Sequence, residues 1–294
     1  MGYVVRVSLE CVPCMVKQAL KAASYVTDDI KVRERVLREV MKRLLEISWE
    51  GTPPQLAHRL GVVSIIKSIT GNEDPYKEAK KRCNDVALSL YPAMKEMIRF
   101  SDEPLRTATL LSIAANVMDL AAYDSFDLEE TVNKVLKQGF TIDDYELFKE
   151  KVVEADTLLF FADNAGEIVF DKLLIETMHS VRGRYFSKIT YVVKGGPIVN
   201  DATIEDVKYV GLDKLPNIGF RFVSNGEPGT GPERRSEKVK SWIEEHDLVI
   251  AKGQGNYEDL SDFKGIFFLL MVKCPVIARD LGVDVGSIVL KYTY

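Results

Sequence analysis

Apolar residues recur every three or four positions through most of the first half of the chain, a spacing that predicts helices. Residues 15–23 carry one apolar stripe, and Thr27-Asp28-Asp29 is a capping cluster ahead of a helix over 30–47. Thr52-Pro53-Pro54 sets a cap residue before prolines at the first helical positions, where the missing N–H is not needed, and predicts one helix ending near Gly71. Asn72-Glu73-Asp74-Pro75 repeats that grammar before a helix running toward Phe100. Ser101-Asp102-Glu103-Pro104 does so again before a helix over 105–122. Shorter helices fit 128–136 and 143–154.

Near Ala155 the pattern changes. Short apolar runs alternate with amphipathic stretches, as expected of a mostly parallel sheet covered by helices. The runs predict strands over 157–162, 189–193, 220–223, 248–251 and 265–271, and a last one within 287–292. Helices fit between them over 166–180, 201–207 and 233–245. The expectation is a helical domain over residues 1–154 followed by an α/β domain over 155–294.

Composition adjusts this picture only in part. At 294 residues the chain can bury a large core, about 75% of its unfolded surface for a chain of this size. A net charge of -5 argues against a nucleic-acid partner, which needs a basic face, while leaving room for a small phosphorylated ligand. No uncharged apolar run reaches membrane-spanning length, and the N-terminus carries no cleavage signal. Met1-Gly2 would suggest myristoylation, but Arg6 stands where Ser or Thr is required. Four cysteines in so long a chain read as free thiols of a cytoplasmic protein. His58, His179 and His246 are the only histidines, too few for a histidine-built zinc hydrolase, and each falls within a predicted helical stretch, where it reads as structural.

The candidate chemistry lies where the strands end. Ligands of an open parallel sheet gather at the carboxyl ends of its strands. The first strand is followed by Asp163-Asn164-Ala165-Gly166-Glu167 and the second by Lys194-Gly195-Gly196-Pro197, leading to Asn200-Asp201. The third runs into Ser224-Asn225-Gly226-Glu227-Pro228-Gly229 and the fourth into Lys252-Gly253-Gln254-Gly255-Asn256. Any one of these is ordinary turn chemistry. Four on one edge of a sheet are more than turns require. Asp163, Asn164 and Asp201 are hard oxygen donors suited to Mg²⁺, Mn²⁺ or a similar ion with positions open to water and substrate. Lys194 and Lys252 are placed to hold a phosphate, the glycines let backbone N–H groups approach it, and Glu167 is a candidate to orient or deprotonate a water.

Five pieces of sequence together resemble the metal-dependent damage-control phosphatases, formerly a domain of unknown function. They are Asp-Asn-Ala-Gly-Glu at 163–167, Val-Lys-Gly-Gly-Pro…Asn-Asp-Ala-Thr at 193–203, Lys-Gly-Gln-Gly-Asn-Tyr-Glu at 252–258, Ala-Asn-Val-Met-Asp at 115–119, and Cys11-Val-Pro-Cys14, similar to the N-terminal pair of the prokaryotic-type branch. The resemblance implies a helical N-terminal domain packed on a three-layer α/β/α domain. It also implies a divalent metal (Mn²⁺, Co²⁺, Ni²⁺ or Mg²⁺) on Asp163, Asn164 and Asp201, and hydrolysis of sugar phosphates or damaged phosphometabolites. Asn116 and Asp119, one helical turn apart, are expected to face substrate from the helical side, with Lys194, Lys252 and Asn256 holding its phosphate.

Cys11 and Cys14 open a predicted helix and form half a zinc site with no second pair, which favours a structural or redox role; Cys83 and Cys274 read as buried apolar groups. A methyltransferase is the rival enzyme, since some eukaryotic relatives are linked to carboxyl methylation, although a glycine-rich turn directly after the first strand is missing. A protein that binds a phosphometabolite without turning it over is the rival from another class.

Overall fold

The computed structural model describes residues 5–115, 134–223, 233 and 235–294. The first helices are α1 (Cys11–Val26), α2 (Ile30–Glu46), α3 (Pro53–Leu60), α4 (Val62–Thr70), α5 (Lys77–Arg99), α6 (Pro104–Ala114) and α7 (Tyr145–Glu154). Asp29 caps α2 by accepting from the Lys31 N–H at 2.8 Å, and Thr52 caps α3 in a reciprocal box with Gln55. The single helix expected over 52–71 is instead two. Gly61, at φ 61°, closes α3 and opens α4, a left-handed turn that a glycine takes without a Cβ clash. The ends of the helices expected over 105–122 and 128–136 lie outside the described residues, as do Asn116, Asp119 and the glycine-rich loop over 224–229.

Among the described residues seven strands form one sheet: β1 (Ile142–Asp143), β2 (Thr157–Phe161), β3 (Lys188–Lys194), β4 (Ile218–Val223), β5 (Leu248–Lys252), β6 (Ile266–Met271) and β7 (Ile288–Tyr292), in the order β1-β7-β6-β5-β2-β3-β4. The five strands from β6 to β4 are parallel. The last strand, β7, runs antiparallel to β6 and parallel to β1, so that end of the sheet points the other way. Between the strands lie α8 (Glu167–Arg182), α9 (Ile204–Tyr209), α10 (Glu237–Glu244), α11 (Gly253–Leu260) and α12 (Pro275–Leu281). The helix expected from 201 starts only at Ile204, because Asp201 is engaged in a backbone bridge with Asn164. His246 lies in the turn after α10 rather than in a helix.

Side-chain alternation divides the sheet between two cores. Leu158, Phe160, Tyr191, Ile250, Phe267 and Leu290 face one core. That core also takes in Ala87 and Met94 of α5, Leu105 and Ile113 of α6, Phe148 of α7 and Leu174 of α8, so helices on both sides of residue 155 share it with the strands. Leu159, Phe161, Val249, Phe268 and Val289 face the other, filled by Trp242 of α10, Leu260 of α11 and Ile277 of α12. Helices thus cover both faces, giving a three-layer α/β/α arrangement. A third cluster, around Ala19, Val40, Leu56 and Ile66, joins α1 to α4. Among the described residues no helix is long and apolar enough to cross a membrane.

Candidate active site

From β2 the chain turns to β3 and then β4 on one side, whereas β5 and β6 lie on the other. The crevice beyond the end of β2 is therefore the switch point of the sheet, where diverging loops leave room for a ligand. Backbone pairing builds the site there. The Ala202 N–H donates to the Asp163 carbonyl at 2.8 Å, and the Ala165 N–H to the Asn200 carbonyl at 2.9 Å. Asn164 and Asp201 form an antiparallel bridge. Asp201 is brought from a distant part of the sequence to Asp163 and Asn164 this way, and all three line a cavity of about 880 Å³.

Lys194 joins them from the last position of β3, with its Nζ 3.3 Å from Asp201 Oδ2. Glu167, the first residue of α8, is on the same wall. The Asn164 amide nitrogen donates to Glu167 Oε1 at 2.7 Å and to Asp163 Oδ2 at 3.0 Å, which turns the Asn164 Oδ1 away from both carboxylates. Gly253, at φ 77°, lies against Asp163 so closely that a Cβ there would overlap the carboxylate.

Lys252 and Asn256, expected to hold a phosphate, are instead buried below this wall and do not line the cavity. The Lys252 ammonium is 2.9 Å from Asp171 Oδ1 and 3.5 Å from Glu167 Oε2, and it donates to the Ser112 carbonyl at 2.7 Å. Burial alone would pull this lysine down, but the Asp171 and Glu167 carboxylates hold it above the usual lysine value. Asp171 also accepts from Ser112 Oγ at 3.0 Å and from the Tyr191 hydroxyl at 2.8 Å. Burial, reinforced by Asp171, pushes the Tyr191 phenol well up, so it stays a donor. Asn256 donates to the Ala162 and Lys252 carbonyls at 3.0 and 2.7 Å, tying the end of β2 to the end of β5.

A second support comes from α5. Asn84 Oδ1 accepts the Gly166 N–H at 2.7 Å, and its amide donates to Asp206 Oδ1 at 2.9 Å. Lys80 bridges Asp206 and Asp74 at 3.6 and 2.8 Å. Sequence reading missed Asn84, Asp171 and Asp206: the first two lie inside helices with no neighbouring motif to mark them, whereas Asp206 closes a capping box with Thr203, a spacing that residue order does carry.

The donor set suits a hard divalent cation. Among the described residues no three His, Cys, Asp or Glu side chains form a closed metal cage. The residues gathered here, two aspartates and one asparagine, offer hard oxygen donors, and a set of three leaves coordination positions for water and substrate.

Known proteins give an independent comparison. The family model for the damage-control phosphatase ARMT1-like domain matches residues 7–289. The chain is 36% identical to a damage-control phosphatase of Archaeoglobus fulgidus, over 97% of this chain and 99% of that protein. It is 35% identical to a damage-control phosphatase of Pyrococcus horikoshii, over 97% of each. The crystal structure of a DUF89 family protein from Pyrococcus horikoshii superposes with a TM-score of 0.84 at 32% identity, covering 98% of this chain and 99% of that one.

Proposed function

The chain belongs to the damage-control phosphatase ARMT1-like family, and on that premise we propose that it hydrolyses small phosphate monoesters, sugar phosphates or damaged phosphometabolites, with a divalent metal held by Asp163, Asn164 and Asp201. The observation that carries this reading is the gathering of the Asp163, Asn164 and Asp201 residues with Lys194 on one cavity wall at the switch point of the sheet. When bound, a divalent ion supplies Lewis acidity toward a phosphoryl oxygen and a water more acidic than bulk.

The protein's own groups do the rest. Lys194, held beside Asp201, meets the negative charge of the phosphoryl group. Glu167 is fixed between Asn164 and Lys252 and offers its carboxylate to a hydrogen bond from the attacking water. Lys252 and Asp171 act at one remove, holding Glu167 in place from below. The wall formed by α1 and α3 lines the same cavity and receives the leaving group.

The test is phosphate release from a panel of small phosphomonoesters, first in chelator and then with Mn²⁺, Co²⁺, Ni²⁺ and Mg²⁺ restored singly. Turnover that vanishes in chelator and returns with metal is the expected result. A well-folded, metal-loaded protein that releases no phosphate from any ester would sink the proposal, leaving a binding protein or a methyltransferase to be tested.

A further inference from the structure

All four cysteines of the chain, Cys11, Cys14, Cys83 and Cys274, line the substrate cavity. Three of them come from two helix starts held side by side. Cys11 and Cys14 occupy the first turn of α1, and Cys274 is the residue that precedes α12. Arg279 of α12 donates to both carboxylate oxygens of Glu10, the residue before α1, at 2.9 and 2.5 Å. This fork clamps the two helix starts together. The Cys11 thiol accordingly feels both Cys14 and Cys274, and burial pushes it up from the usual thiol value. Amide donors stand at the outer sulfurs: Gln18 Nε2 is 3.5 Å from Cys14 Sγ, and Gln254 Nε2 is 3.8 Å from Cys274 Sγ.

Exposure separates the pair in α1. Cys14 is exposed and Cys11 buried one helical turn behind it. A reagent in the cavity meets Cys14 first and leaves Cys11 as the nearest second thiol. Side chains three apart on a helix have Cβ atoms about 5–6 Å apart, against about 3.8 Å in a disulfide. The Cys11 and Val12 N–H groups donate to the Ser8 and Leu9 carbonyls at 2.9 and 3.2 Å and Pro13 has no N–H, so the start of α1 is held by i→i−3 bonds that can shift as the turn tightens. No three His, Cys, Asp or Glu side chains among the described residues are disposed as a metal cage, so paired thiols are the better description of this cluster.

We propose that Cys11 and Cys14 form a redox modification site on the substrate cavity, oxidised by a peroxide to a disulfide that weakens substrate binding along the α1 wall. The Cys14 sulfur attacks one oxygen of hydrogen peroxide, the O–O bond breaks, and a sulfenic acid and one water result. The Cys11 sulfur then attacks the Cys14 sulfur; the S–S bond forms as the S–O bond breaks, and a second water leaves. Two thiols and one peroxide thus give one disulfide and two waters. A small dithiol reductant reverses the change by thiol exchange. Drawing Cys14 toward Cys11 moves the cavity face that also carries Pro13, Lys17 and Gln18, away from the reacting groups. The effect belongs in KM rather than in kcat.

The experiment treats the reduced full-length protein with hydrogen peroxide and maps disulfides by peptide mass under non-reducing conditions. A Cys11–Cys14 disulfide, lighter by two hydrogens, is expected in the native protein and in Cys274→Ser. In Cys11→Ser, Cys14 should instead be trapped as a sulfenic acid by dimedone. In the phosphatase assay KM should rise several-fold, with kcat little changed, and return after dithiothreitol. Pairing of Cys14 with Cys274, or oxidation of Cys14 without pairing, would overturn the assignment; so would an unchanged KM in fully oxidised protein. The KM readout rests on the phosphatase proposal, but the disulfide map does not. A protein with no phosphatase activity in its reduced form would count against that proposal alone.

Discussion

At the scale of single residues the site separates groups that face the cavity from groups that hold them. Asp163 faces it. On the proposed metal-dependent reading, Asp163→Ala should lower turnover by on the order of a thousandfold or more, since metal Lewis acidity would contribute several kcal/mol to such a transition state. Its circular dichroism should be unchanged. Lys252 is of the second kind. Lys252→Met keeps the volume but leaves Asp171 and Glu167 without their buried counter-charge. It should cost about 3–5 kcal/mol in a denaturant titration. His246 carries a pH effect. Its Nδ1 lies 2.7 Å from the Trp242 carbonyl, which only accepts, so Nδ1 bears the proton and Nε2 accepts from Thr190 Oγ1 at 2.9 Å. Burial lowers His246, and His179 likewise. Below about pH 6.5 the unfolded chain takes up protons that the folded one resists, so stability should fall between about pH 7 and 5. Thermal melts of His246→Asn across that range should show a shallower fall, with His179 supplying the remaining slope.

Residues of the first kind were legible in the sequence because they follow strands and sit among glycines. Lys252 also follows a strand, but at the end of a strand buried on both faces its side chain can turn inward or outward, and residue order does not decide which.

At the scale of elements, the junction between β5 and α11 is the most constrained part of the site. Gly253 combines a positive φ of 77° with contact against Asp163. Gly253→Ala should lose about 1–3 kcal/mol from backbone strain. Its turnover should fall further than that loss explains, because the new methyl displaces the Asp163 carboxylate. Denaturation midpoints and phosphate release on the same preparation separate the two effects. Asn84→Ala would strand the Gly166 N–H and one oxygen of Asp206, at about 1–3 kcal/mol, and loosen the turn that carries Asn164. The central strands and most helices were legible because their apolar runs and caps extend over many residues. β1 was not, since two residues carry no periodicity and its pairing partner is β7. Nor was the break at Gly61, because one glycine in an apolar stripe does not reveal its own φ.

At the scale of the whole molecule, the cluster joining α1 to α4 is separate from the two cores on the sheet. It is tied to the rest by Val276 of α12, which packs against both it and one sheet core, and by polar contacts, among them Thr52 Oγ1 to Asp259 Oδ1 at 2.6 Å and the Arg279–Glu10 fork. A unit attached in this way should open at a lower free energy than the central strands. Hydrogen exchange should therefore be faster in α1 and α2 than in β2, β5 and β6, and a bound phosphate ester should slow it in α1. Equal protection throughout would mean that the helices and the sheet unfold as one.

The placing of β7 bears on how the chain is made. Synthesis proceeds from the N-terminus, and the central strands can align while later residues are still on the ribosome. Residues 142–143, however, must wait for 288–292 before they have a neighbour, and β6 waits with one edge bare. The nascent protein thus carries an open sheet edge until residues 288–292 have left the ribosome, and during that interval it depends most on chaperones.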